Sequence, residues 1–139
     1  MAEMVVVRQS LSLETQFKVS FIGEEKDLRV VEQLHELTPY GMMLASLGSC
    51  TAMVVNTFAQ NHDYPLETVD IQLKYERVFK EDCDNCAGID RYDESISEKI
   101  QFLGDLSEQQ RSRLSQVVHL CPIYKMFKSG IEIHTEMLE

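Results

Sequence analysis

Hydrophobic and polar positions alternate through the first third of the chain. Met4 to Val7 form a short apolar run, and Thr15 to Ile22 read TQFKVSFI with Phe17, Val19 and Phe21 on one face. Alternation of this kind marks a half-buried strand, so both segments are predicted strands. Gly23 and the charged EEKD run supply a turn to a third strand, Leu28 to Val31, and the three form a small antiparallel meander. The period then changes. Thr38-Pro39 is a helix start, with the threonine as N-cap and the proline at the first helical position, where its missing N–H costs nothing. A helix is predicted from Pro39 to about His62, and its apolar positions (Met42, Met43, Leu44, Leu47, Cys50, Met53, Val54, Phe58) occur nearly all round, the pattern of a helix buried on most sides.

Asp63-Tyr64-Pro65 ends that helix, and Val69, Ile71, Leu73 and Tyr75, with Arg77 at the end of the row, alternate along a strand of about a dozen residues. Lys80 to Asp93 is polar and reads as a loop before a returning strand, Ser95 to Leu103. Ser107 and Gln110 form a capping box for a helix that runs to about Leu120. Pro122 cannot continue it, so Cys121 sits at a junction and caps a second short helix, Pro122 to Lys128. Gly130 ends that helix, and Ile131, Ile133 and Thr135 are predicted to finish in an edge strand. The expectation is an α+β fold in a single domain over residues 1–139.

Composition narrows the role. A hydrophobic share of 44% with six Gly and three Pro supports a real core and argues against a fibrous or low-complexity chain. The net charge of −10, with no Lys/Arg run, removes the positive field on which nucleic-acid and anionic-membrane binding depend, so neither partner is expected. The N-terminal MAEMVVVRQS lacks the charge and apolar length of an export signal, and a cytoplasmic location is expected. Met42 to Phe58 is a 17-residue apolar stretch broken by Gly48 and Asn56, short of a bilayer span, and reads as a buried helix.

The chemistry lies in the cysteines. Cys50, Cys83, Cys86 and Cys121, in a chain without an export signal, fit buried, catalytic or metal-binding thiols better than a disulfide framework. Cys50 alone would pass as a small core hydrophobe. Cys121 at a helix N-terminus meets free N–H groups and the positive end of the dipole, which favour a thiolate. Two buried helices with one cysteine each can set the thiols side by side as an attacking and resolving pair. Cys50 itself lies some twelve residues inside its helix, too deep for that helix's own dipole, so its activation requires an arginine or a kink at Gly48-Ser49.

These residues carry a resemblance. Thr38 to Met53, TPYGMMLASLGSCTAM, is similar to the P-x-E-L-L-L-A-S-L-G-S-C-T-A-M hallmark of the OsmC/Ohr family of osmotically induced and organic-hydroperoxide-resistance proteins, OsmC-like subgroup. Leu106 to Leu114 (LSEQQRSRL) followed by Val118 to Ile123 (VHLCPI) resembles the family's L-x-x-E-Q-R-x-R-L and A-x-x-C-P-V elements. The resemblance implies strongly bent antiparallel sheets wrapping two long central helices in an intertwined homodimer, with active sites at the subunit interface. It also implies a peroxiredoxin-like, thiol-dependent reduction of organic, fatty-acid-type hydroperoxides. Cys50 matches the cysteine that becomes a sulfenic acid and Cys121 the one that resolves it as a disulfide. No bound cofactor is implied, only an external dithiol or lipoyl-type reductant.

The family pairs a glutamate of the P-x-E element with an arginine that supports the thiolate. That element has Gly41 here, so Glu36 is the nearby acid that would substitute. The arginine comes from the family's N-terminal strands, which makes Arg29 the expected third catalytic residue, ahead of Arg8. Cys83-Asp84-Asn85-Cys86 lies outside the family motifs, and a lone C-x-x-C fits an incidental surface pair, an electron-relaying dithiol, or half of a zinc site completed across a dimer axis. His35, His62, His119 and His134 show no metal spacing with one another, and His119 reads as a surface histidine two residues from Cys121. Met42, Met43, Met53 and Met126 suit a soft apolar wall. Three functions stay open: the peroxidase, a catalytically weakened redox-sensing or ligand-binding dimer, and a metal-dependent protein built on Cys83 and Cys86.

Overall fold

The computed structural model describes residues 3–21, 23–79 and 92–138. Three strands open the chain, β1 (Glu3–Ser10), β2 (Thr15–Phe21) and β3 (Arg29–Val31), followed by a 3-10 turn at Leu34–Glu36 and the helix α1 (Pro39–Asn61). The strands β4 (Leu66–Phe79) and β5 (Tyr92–Gly104) come next, then α2 (Glu108–Val117), a 3-10 turn at Val118–Leu120 and α3 (Pro122–Ser129). The strands form one antiparallel sheet in the order β3-β2-β1-β4-β5. The helices lie on one face of it, with α1 packed mainly on β1 and β4.

The helices begin where the sequence places their starts. Thr38 is the N-cap of α1 and its side chain accepts from the Gly41 N–H, with Pro39 in the first turn. Ser107 and Gln110 close the capping box of α2. Val5 and Val7 of β1 and Val69, Ile71 and Leu73 of β4 are fully buried beneath Leu44, Leu47, Ala52 and Val55 of α1, which is the alternation read from the sequence meeting a helical face. Glu3 is buried beside the start of α1, where its carboxylate accepts from the Thr38 N–H and hydroxyl, an anion at the positive end of the helix.

Three expectations change. The tail after Gly130 forms no strand: Ile131 and Ile133 alternate, but among the described residues no strand lies alongside them, and they are 64% and 79% exposed. Alternation supplies a face but not a partner to bond with. The returning strand starts at Tyr92 rather than Ser95, because β4 runs to Phe79 and pairs with it along its length. The predicted loop, with Cys83 and Cys86, lies outside the described residues apart from Tyr92 and Asp93, which belong to β5. Finally, α1 is covered on one side only: Met42, Met43, Cys50, Val54 and Phe58 are half-buried and Met53 is 49% exposed. By length and composition α1 would suffice to cross a membrane, contrary to the sequence expectation, and half of its apolar stretch is buried in this fold.

Gly48 sets how closely α1 approaches the sheet. A methyl group at that position would stand 2.7 Å from Val7 Cγ2 and 2.8 Å from Leu73 Cδ1, both in fully buried side chains. Gly48→Ala should therefore overpack the core and destabilise the protein by about 1–3 kcal/mol, read as a lower midpoint in urea unfolding with an unchanged slope. An unchanged midpoint would show that α1 can shift freely on the sheet.

Candidate active site at the junction of α1 and α3

Pro122 stops the preceding 3-10 turn and starts α3, leaving Cys121 in extended conformation as its N-cap. The Cys121 sulfur accepts from the Tyr124 N–H at 3.4 Å, as a capping oxygen would. Cys121 is fully buried against the core.

Cys50 comes to the same place from α1. It hydrogen-bonds Cys121 through their side chains, and its sulfur accepts from the Ile123 backbone N–H. Both sulfurs therefore sit at the N-terminus of α3, each facing a backbone donor, and both are free thiols. The backbone donor that reaches Cys50 thus belongs to α3 and not to its own helix. The balance still favours the protonated form. Burial pushes the Cys50 thiol up, the hydrogen bond with Cys121 adds to that, and the Ile123 N–H opposes it.

The other expected residues lie apart from the sulfurs. Arg29 stands on the edge strand β3, where its guanidinium lies 4.0 Å from the Glu36 carboxylate. Glu36 does hold Arg29, as the sequence suggested for an anchor, yet no arginine figures among the groups acting on Cys50. The Glu36 carboxyl is held below the ordinary value first by the Gln33 and Glu32 N–H groups, with Arg29 contributing less. Arg8 forms a two-pronged pair with Asp70, at 2.8 and 2.6 Å. At Gly41 an added methyl would stand 2.6 Å from Glu3 Oε1, so the space a side chain would need there is taken by the Glu3 carboxylate. Among the described residues no three His, Cys, Asp or Glu side chains gather as a metal site.

A half-open cavity of about 680 Å³ lies between α1, α3 and β5, and neither sulfur lines it directly. Its apolar wall includes Met43 and Leu47 of α1, Ile96 of β5, and Tyr124 and Phe127 of α3. Leu47 lies one helical turn before Cys50, and Tyr124 is the residue whose N–H meets Cys121. At one side Tyr40 and Tyr75 stack at 4.8 Å under the Arg77 guanidinium, which donates to both hydroxyls, and Tyr75 donates to Glu94 Oε1 at 2.6 Å. Burial, then the Glu94 bond, raises the Tyr75 phenol and keeps it a donor.

Glu98 also lines the cavity. It belongs to the helix-facing row of β5 with Ile96, Ile100 and Phe102, and it pairs in register with Leu73. Sequence reading passed over both Arg77 and Glu98 as site residues. The available signal was a charged residue in a row of apolar ones on a strand.

The sequence pattern of the OsmC-like protein family matches residues 31–136. Among curated proteins none matches the chain by sequence. A solved structure of an OsmC-like hydroperoxide resistance protein from Jannaschia sp. CCS1 superposes with a TM-score of 0.64 at 10% identity, covering 99% of this chain and 94% of that one. At that identity the likeness concerns the fold: one antiparallel sheet with helices on a single face.

The Cys50 environment makes a titration prediction. Alkylation of Cys50, followed by peptide mass spectrometry, should rise with pH to a midpoint above the ordinary thiol value of about 8.5. Cys121→Ala removes one cause of the upward shift and should lower that midpoint. A parental midpoint below about 8 would mean that the α3 N–H donor outweighs burial.

Proposed function

The chain belongs to the OsmC-like protein family, and on that premise we propose that it is a thiol-dependent peroxidase that reduces organic hydroperoxides. The observation that carries this reading is the pairing of Cys50 and Cys121, hydrogen-bonded to each other and capped by the first N–H groups of one helix. The neighbouring cavity, with its methionine and aromatic wall, suits the organic part of such a substrate. The Jannaschia protein, similar in fold, is described as a hydroperoxide resistance protein, which agrees in kind.

The Cys50 sulfur attacks the terminal oxygen of the hydroperoxide, the O–O bond breaks, an alcohol leaves and Cys50 becomes a sulfenic acid. The Cys121 thiol then attacks the sulfenic sulfur, water leaves and a disulfide forms. An external dithiol, of lipoyl type in this proposal, reduces that disulfide by exchange and is itself oxidised. Cys50 is half-buried and open to the first reagent, whereas Cys121 is buried and has its partner beside it. Arg29 enters this proposal as a support for the thiolate only across a subunit interface, since within the chain it is engaged with Glu36.

A homodimer in the cytoplasm is part of the same proposal. The half-buried apolar side of α1 and the exposed Ile131, Ile133 and Met137 are surface that a second copy would cover. One observation favours a second reading, a redox-sensing or ligand-binding member with weak turnover: burial holds Cys50 protonated.

Consumption of cumene hydroperoxide with dihydrolipoamide as reductant separates the two readings. The parent should turn over repeatedly, and Cys50→Ser should fall to the uncatalysed rate. Cys121→Ser should accumulate a dimedone-reactive sulfenic acid on Cys50 and form no intramolecular disulfide. Parental turnover in Cys50→Ser would refute the peroxidase reading. A single oxidation event per chain without turnover would establish the sensor.

A further inference from the structure

The strongest unexplained group on the wall of that cavity is the Glu98 carboxyl. Its Oε1 is buried and has no hydrogen-bond partner among the described residues. Glu94, on the same wall, is by contrast occupied by the Tyr75 hydroxyl. An unpartnered buried polar atom is costly, so a fold that keeps one on a cavity wall leaves an unfilled hydrogen-bonding position there.

Its placement is specific. Glu98 pairs with Leu73, whose side chain abuts α1 at Gly48, two residues before Cys50. His119 acts on Glu98 from the helical side, and the His119 ring stacks on Tyr124 at 4.5 Å, the residue whose N–H binds Cys121. Leu47, Tyr124 and Glu98 thus line one cavity against the helices that carry both sulfurs. Burial raises the Glu98 carboxyl, opposed in part by His119, so the acid is biased towards holding its proton.

Resting on the peroxidase reading, we propose that Glu98 is the proton donor to the departing alcohol oxygen when a hydroperoxide is cleaved at Cys50. The Cys50 sulfur gives an electron pair to the terminal oxygen, the S–O bond forms and the O–O bond breaks. The sulfur, bearing the transferred OH, is oxidised to a sulfenic acid, and the peroxide is reduced. The leaving alkoxide takes the Glu98 proton, and the carboxylate recovers a proton from the thiol. Thiol and hydroperoxide become sulfenic acid and alcohol, with no other reactant. A donor suits this site because an alkoxide is a poor leaving group and because Cys50 begins protonated.

The leaving group provides the test. Cumene hydroperoxide expels an alkoxide that must be protonated, whereas peracetic acid expels acetate, which need not be. Glu98→Gln keeps the shape and removes the acid. Its oxidation rate with cumene hydroperoxide should fall about a hundredfold while that with peracetic acid stays within about twofold of the parent. Equal losses with both oxidants, or no loss with either, would overturn the assignment while leaving the peroxidase reading intact. A parent inert to both would overturn both readings together. Far-UV circular dichroism and formation of the Cys50–Cys121 disulfide with peracetic acid report folding of the variant. If Glu98→Gln does not fold, the same ratio between oxidants is read on Glu98→Asp, where a shortened acid should slow the cumene reaction selectively and an unchanged ratio would overturn the proposal.

Discussion

The close approach of α1 to the sheet at Gly48 is the constraint on which the site depends. Without a side chain at that position, the helix settles directly on Val7 and Leu73. That contact fixes the depth of Cys50, two residues on, and it brings the helix to the strand that pairs with β5. The buried face of α1 continues through Leu44, Thr51 and Val55, so the helix is clamped along its length and not at one point. Protein interiors are packed closely enough that a single methyl group here would be felt by every element that touches α1.

The second requirement is a set of backbone donors. A helix N-terminus leaves its first N–H groups without partners, and at α3 sulfur atoms take the place of the oxygen acceptors common at such ends. Pro122 shapes this end: it starts the helix, offers no donor of its own, and leaves Ile123 and Tyr124 to supply the two that are used. The arrangement holds two thiols against one another, and the electrostatics are divided. The Ile123 N–H favours a thiolate at Cys50, but burial and the neighbouring thiol outweigh it. A chemistry that moves the Cys50 proton as the sulfur reacts suits such a balance better than one that begins from a free thiolate.

Around the thiols the sheet contributes polarity in an apolar wall. Arg77, Tyr75 and Glu94 form a mutually satisfied group with Tyr40, which ties the start of α1 to the far ends of β4 and β5. Glu98, two side-chain repeats further along the same face of β5, keeps its Oε1 without a partner among the described residues. Two acids on one strand face differ in role because Glu94 pairs with Arg77 and receives the Tyr75 hydroxyl from the diagonal position, whereas Glu98 pairs with Leu73.

The sequence by itself determined the helices and their starts. Thr38-Pro39, the Ser107-Gln110 box and Cys121-Pro122 act locally, through one side chain and the next few N–H groups, so they are legible without a fold. Alternation in β4 likewise announced which side would be buried, whereas in β2 it held for Val19 but not for Phe21, which is exposed while Ser20 is buried. The tertiary structure decided what depends on distant residues meeting. It supplied the α3 donor at Cys50, which no reading of α1 contains, and it placed Arg29 with Glu36 and not beside a sulfur. It filled the space at Gly41 with Glu3 from 38 positions earlier in the chain. It also left the alternating tail without a ladder, because hydrogen bonds between strands need a neighbour that a periodic pattern cannot specify. Local propensity acts through adjacent residues, whereas burial, pairing and the proton affinity of a thiol are set by whatever the fold brings against them.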